Sequence, residues 1–317
     1  MMKSKKAIIF GIKGTKLSIS EKSLLKKFNP WGIILFERNI KNIYQVKKLT
    51  NQIRKVTKNK KYPIIIDQEG GKVSRLKNII NLEHFDQQTF GNLYKRNKKN
   101  FSFVYQKYID MTSFFLNDMG ININTVPVLD IMRKKTHKVI GNRSFSNNKR
   151  IVNELGQLCI KFYKKNNIAT VMKHIPGHGL ADKDSHHSMP IVQASKKKLF
   201  NNDFYPFKKN KPFFAMTAHV LFKSFDLKNT VTHSKILITN VIRKKLGFKG
   251  ILISDDISMK SLNLTLEKNA IMAIQSGCNL VLHCNGNIKE MKRLIKVIPN
   301  IDNFTRKKTS DFYKFLR

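Results

Sequence analysis

Acidic residues are scarce in this 317-residue chain, where 20 Asp and Glu stand against 61 Lys and Arg and the formal charge is +41. Taken alone, that excess points to a polyanion partner such as nucleic acid or an anionic membrane. The signatures that accompany such partners are missing. No aromatic-interleaved RNA motif or zinc-finger spacing occurs, and the basic residues run from Lys3 to Lys314 among many Ile and Asn. The charge therefore reads as compositional drift at surface positions, and no dedicated nucleic-acid partner is expected. Cysteine is scarce too. Cys159, Cys278 and Cys284 are odd in number and set in apolar surroundings, which argues against a disulfide framework and for buried packing in a reducing compartment. Long apolar runs are absent. The opening "MMKSKKAIIFGIKGTKLS" breaks at Lys13, too early for a signal peptide, and no later run reaches the roughly 18 residues of a membrane span. A soluble, cytoplasmic protein with no membrane partner is expected.

Linkers, fixed-period repeats and low-complexity blocks are also lacking, so one domain over 1–317 is expected. What is present is a series of short Ile- and Val-rich runs, each followed by a polar loop and a helix-like stretch. They are "AIIFGI" (7–12), "GIILF" (32–36), "PIIID" (63–67), "INTVPV" (123–128), "ATVMKH" (169–174), "FFAMTAH" (213–219), "GILISD" (250–255) and "NLVLHC" (279–284). This is the βα alternation of a parallel sheet, and eight units fit an α/β single (β/α)8 TIM barrel with its site at the C-terminal ends of the strands. A doubly wound open sheet is the rival, but "GIKGTKLS" is a weak match to its phosphate-binding glycine fingerprint. From about residue 288 a helix, "IKEMKRLIKVI", and a basic tail are expected to pack on the barrel or fray.

Polar residues stand at the predicted strand ends: Asp67, Asp130, Lys173, His174, His219, Asp255 and Asp256. Any one aspartate there could be a cap or turn former, and Asp130 and Asp256 are read first in that way. Their convergence on one barrel mouth points to a site. The stretch "KHIPGHGLADKDSHHSMP" (173–190) adds four of the chain's nine histidines. Metal binding is disfavoured because "IPG" between His174 and His178 cannot form the helix that pairs i and i+4 ligands, and no metal is expected. Asp184-Ser-His186 is more suggestive. In an extended loop these two side chains point the same way, and the carboxylate would raise the imidazole pKa and make His186 a competent acid.

That stretch resembles the KH(F)PGHGxxxxDSHxxxP signature of glycoside hydrolase family 3 β-N-acetylglucosaminidases of the NagZ type. "IDQEGGKVSRL" (66–76), "INTVPVLDI" (123–131), "IGNRSF" (140–145) and "LGFKGILISDDISM" (246–259) are similar to further motifs of that family, in its order, and with "MTAHV" and "SGCNLVLHCN" the resemblance covers residues 7–287. It implies a retaining glycosidase in which Asp255 is the nucleophile, His186 the acid/base and Asp184 the residue that orients it, with Asp256 in a supporting place. It also implies that Asp67, Arg75, Arg143, Lys173 and His174 bind a terminal N-acetylglucosamine. The implied substrates are GlcNAc-1,6-anhydro-MurNAc peptides of cell-wall recycling, or chitobiose-like sugars, handled by a monomer without metal or organic cofactor. Two positions depart from the pattern. Lys72 replaces an Arg and Thr125 a Phe; they read as charge-preserving and packing-level changes that bear on affinity rather than chemistry. The alternatives are a family 3 β-glycosidase for another sugar, expected to carry a further domain and no D-S-H, and a non-catalytic basic binding module.

Overall fold

Six residues in a row, Pro30–Leu35, are buried, and so are all seven of Ala169–Ile175. Strands read as continuous apolar runs when helices cover one face and a filled interior covers the other. The structure, a computed structural model that describes residues 4–133, 140–181 and 188–316, forms this layering from β1 (Lys6–Gly11), β2 (Pro30–Leu35), β3 (Ile64–Ile66), β4 (Ile123–Asn124), β5 (Ala169–Ile175), β6 (Phe214–Thr217), β7 (Ile251–Asp256) and β8 (Leu280–His283). The eight strands follow one another in chain order around a closed barrel, all pairs parallel, and β1 closes it on β8. The expected (β/α)8 barrel is the observed fold.

Helices between the strands are built from amphipathic stretches with polar caps. Lys149–Lys165 buries Val152, Leu155, Cys159 and Phe162, a helical spacing, and starts on Asn148, whose side chain accepts from Arg150 N. Ser18 and Glu21 form a reciprocal capping box at the head of Ile19–Phe28.

One expected strand is much shorter than read. β4 stops at Asn124 although "INTVPV" runs to 128, because Pro127 has no N–H for the ladder; Val128 rejoins only as a bridge to Lys173. A short parallel ribbon, Ile191–Val192 beside Leu221–Phe222, was not expected. It ties the return of the histidine-rich segment to the chain after β6.

The C-terminal tail packs on the barrel. After the helix Ile288–Val297, a second helix, Asn303–Phe315, starts on Asp302 and lies against the β2 and β6 end of the core. Phe312 is fully buried against Trp31, Phe213 and Phe214, and Trp31 Nε1 donates to Thr309 Oγ1 at 2.8 Å. Phe312→Ala should therefore cost about 3–5 kcal/mol in urea unfolding. A loss under about 1 kcal/mol would detach this helix from the folding core.

Candidate active site

The C-terminal ends of the strands surround a cleft of about 390 Å³ lined by Phe36, Asp67, Lys72, Arg75, Thr125, Arg143, Lys173, His174, His178, Asp255 and Asp256, with Met216, Met259 and Leu282 as apolar wall. A larger hollow of about 590 Å³, lined by Ile160, Phe213, Phe248 and Phe315, lies beside the C-terminal helix and contains none of these groups. Chemistry belongs to the first. A sugar offers both hydroxyls and apolar C–H faces, and this cleft has partners for each.

The segment after β3 is shaped to bring Arg75 back to Asp67. Gln68 is fully buried, and its Oε1 accepts from Arg75 N at 2.6 Å and Leu76 N at 3.2 Å. Gly70 is required in this turn, with φ at +92° and Tyr108 Oη 2.6 Å from where a Cβ would lie. Arg75 Nη2 then meets Asp67 Oδ2 at 2.7 Å. Glu69, from the same turn, is bound in a fork by Arg143, with Nε and Nη2 both at 2.8 Å.

Lys173 joins the two carboxylates. Its Nζ lies 2.5 Å from Asp67 Oδ1, 2.5 Å from Glu69 Oε1 and 3.1 Å from Thr125 Oγ1, so all three ammonium protons have acceptors. Burial alone would raise both carboxyl pKa values, but the surrounding cations overcome it. Lys173 and Arg75, with hydrogen bonds from Lys173 and Thr125, hold Asp67 far below the usual range, while Arg143 and Lys173 hold Glu69 below it. The reading of Thr125 as a packing-level change needs correction, since its hydroxyl donates to Asp67 Oδ1 at 2.5 Å.

Asp130 also has a different place from the turn or cap first read for it. It is fully buried and accepts from His174 Nδ1 at 2.7 Å and from His178 N at 2.6 Å, which clamps the root of the histidine-rich segment. A carboxylate can only accept, so Nδ1 of His174 carries the hydrogen. His178 lines the cleft, and burial followed by the neighbouring His174 lowers its pKa to about 4. Asp184 and His186 lie outside the described residues.

Asp255 sits next to last in β7 and lines the cleft. Burial pushes its carboxyl up, but His219, His174, the Asp256 N–H at 2.8 Å and Lys173 together bring it below its ordinary value. Asp256 faces backbone donors, with Ser258 N at 3.1 Å and Cys284 N at 3.4 Å from its Oδ1. His219 fixes this turn from behind. Its Nε2 donates to Asp256 O at 3.0 Å while Nδ1 meets Thr232 Oγ1 at 2.7 Å. Cys284 departs from the expected buried packing: it is only part-buried, lies on the cleft wall, and its thiol is pushed well up by burial and by Asp256 and Asp255.

Sequence pattern and geometry thus meet at a sugar-sized polar cleft, and comparison with known proteins agrees. The glycosyl hydrolase family 3 N-terminal domain matches residues 4–310. This chain belongs to that family. The β-hexosaminidase of Haemophilus ducreyi is 35% identical over 290 residues, covering 88% of this chain and 81% of that protein. The β-hexosaminidase of Photobacterium profundum is 30% identical over 320 residues, covering 98% and 92%. Among solved structures, NagZ from Neisseria gonorrhoeae in complex with N-trifluoroacetyl-D-glucosamine is 28% identical with a TM-score of 0.87, over 99% of this chain and 90% of that one. The chain is a family 3 glycoside hydrolase of the β-N-acetylhexosaminidase kind. None of its described helices is long and apolar enough to cross a membrane.

The buried imidazoles set a pH dependence. His178 and His233 are lowered to about 4, chiefly by burial, and His219 is lowered from the same cause. The unfolded chain, with imidazoles near about 6.5, binds more protons than the folded one between that value and about 4. Stability should fall as pH drops through this window, seen as a lower urea midpoint at pH 5 than at pH 7, and His178→Asn should shrink the difference. An unchanged midpoint would contradict neutral burial of these rings.

Proposed function

We propose that this hydrolase is a retaining exo-β-N-acetylglucosaminidase acting on GlcNAc-1,6-anhydro-MurNAc peptides in cytoplasmic cell-wall recycling. The observation that carries the mechanism is the common state of three carboxylates of the site. Asp255, Asp67 and Glu69 are all held below their usual range, which suits a nucleophile and two paired anions but leaves none of the three as a proton donor. The donor must then come from elsewhere, and the Asp184–His186 pair is the candidate. The described residues that flank it are held, His174 and His178 by Asp130 and Pro190 by Leu221 N, which donates to Pro190 O at 3.0 Å.

In the first step Asp255 attacks the anomeric carbon, the bond to the aglycone oxygen breaks, and His186 gives that oxygen its proton. Asp184 holds the imidazole and stabilises its charged form. In the second step His186 takes a proton from water, the water oxygen bonds to the anomeric carbon, and the ester to Asp255 breaks. Asp67, Arg75, Arg143, Lys173 and His174 orient the N-acetylglucosamine. The sugar analogue held by the gonococcal NagZ carries an acyl-amino group of the same kind, which supports this choice of sugar. Because every Lys173 proton has a protein acceptor, a sugar hydroxyl would replace one of them, and the 3.1 Å contact to Thr125 is the longest of the three.

Purified protein should hydrolyse 4-nitrophenyl β-N-acetylglucosaminide and not the β-glucoside; the reverse preference would overturn the assignment. A 5-fluoro N-acetylglucosaminyl fluoride should add one sugar unit, mapped to the peptide position of Asp255. Label on Asp256, or none on an active enzyme, would place the nucleophile elsewhere.

His186→Ala should lose ~10²–10⁴-fold with a disaccharide and far less with a dinitrophenyl glycoside, since an activated phenolate leaves without an acid. Equal losses on both substrates would assign His186 to binding instead.

A further inference from the structure

Resting on the role of Asp67 as an acceptor of sugar hydroxyls, we propose that Thr125 is a positioning residue that restricts Asp67 to one of them. An ionised carboxylate offers about four acceptor directions. On Asp67, Oδ1 takes the Thr125 hydroxyl at 2.5 Å and Lys173 Nζ at 2.5 Å, and Oδ2 takes Arg75 Nη2 at 2.7 Å. One direction, on Oδ2, is left for substrate. Thr125 can hold this arrangement because it cannot swing away. It is 1% exposed, and its N–H donates to Ile66 O at 3.0 Å, one residue before Asp67.

The resemblance puts a phenylalanine at this position, and a phenyl ring has no hydroxyl to donate. Lys173 would then be the one neighbour on Oδ1, and that oxygen could take a second hydroxyl. Here the threonine occupies the place, so selectivity at Asp67 is narrowed by a protein group. Thr125 touches Asp67 and Lys173, and it acts on the sugar through them.

The test compares wild type, Thr125→Val, Thr125→Ser and Asp67→Ala on 4-nitrophenyl β-N-acetylglucosaminide and its 3-, 4- and 6-deoxy forms, with kcat and KM measured separately. Valine keeps the shape of threonine, so melting temperatures of all Thr125 variants should stay within a few degrees of wild type. Wild type should lose about tenfold to a hundredfold in kcat/KM with one deoxy form, the value of a hydrogen bond to a charged group. In Thr125→Val the penalty for that form should remain, and a second deoxy form that wild type tolerates should now lose about tenfold in kcat/KM, mainly through KM, because the freed direction on Oδ1 takes its hydroxyl. Thr125→Ser should restore tolerance of that second form. If Thr125→Val behaves as wild type, or weakens every substrate by one factor with no second deoxy form penalised, the proposal fails while Asp67 keeps its role. If Asp67→Ala retains the wild-type deoxy penalty, the reading of Asp67 fails and this proposal with it.

Discussion

Lys173 is buried at the end of β5 with each of its protons on a different oxygen, and the cleft is organised around that nitrogen. Moving an ammonium and two carboxylates out of water costs several kcal/mol per ion, and well-packed apolar residues would often serve stability as well or better. Arg75 and Arg143 complete the cluster, so that three cations face two anions with bidentate or short contacts throughout. A chain that needed only to fold would gain little from this. A chain that must hold several polar groups still for a sugar gains a site whose dipoles and charges are fixed before substrate arrives.

The barrel makes the cluster possible because its parts come from different strands. Asp67 and Glu69 follow β3, Thr125 follows β4, Lys173 and His174 lie in the last three residues of β5, and Asp255 is next to last in β7. Parallel strands all point their C-terminal ends the same way, so residues more than a hundred positions apart share one rim. Asp130 then couples this rim to the segment that continues past His178. Its hydrogen bonds to both histidines tie the start of that segment to the same rigid frame as the other polar groups of the cleft.

How much of this was legible in the sequence depends on where each feature has its cause. The eight strands were legible, since burial on both faces leaves an apolar run that can be counted. The ends of β4 and the ribbon at Ile191–Val192 were not, because two-residue pairings carry no periodic signal. Asp255, Lys173 and His174 stood out by their places at strand ends and by family resemblance. Glu69 did not stand out, and Asp130 was underrated. Their importance lies in partners distant along the chain, Arg143 for one and His174 with His178 for the other, and no local pattern announces such pairs. Thr125 shows the same limit from the other side: as a departure from a motif it suggested lost packing, and only the position of its hydroxyl reveals a polar role.

The scarcity of acidic residues takes on a further meaning beside this arrangement. Of the 20 carboxylates, Asp67, Glu69, Asp130 and Asp255 are held in or beneath the cleft, Asp203 is buried against Arg133, and Glu21 is buried in a helix cap. These charges compensate cations or backbone donors inside the protein, so they do little to offset the lysines outside it. The exterior lysines consequently meet few carboxylates around them, while the polar groups of the cleft sit in a locally balanced network. A positive exterior raises the local concentration of anionic solutes and is screened by salt over about 10 Å at 0.1 M ionic strength. An anionic solute would be drawn toward this surface over that distance, whereas an uncharged ligand would be selected only by short hydrogen bonds within the cleft. Capture and recognition would then rest on different parts of the molecule, the first on exposed lysines scattered over the chain and the second on a handful of buried groups at the ends of β3, β4, β5 and β7.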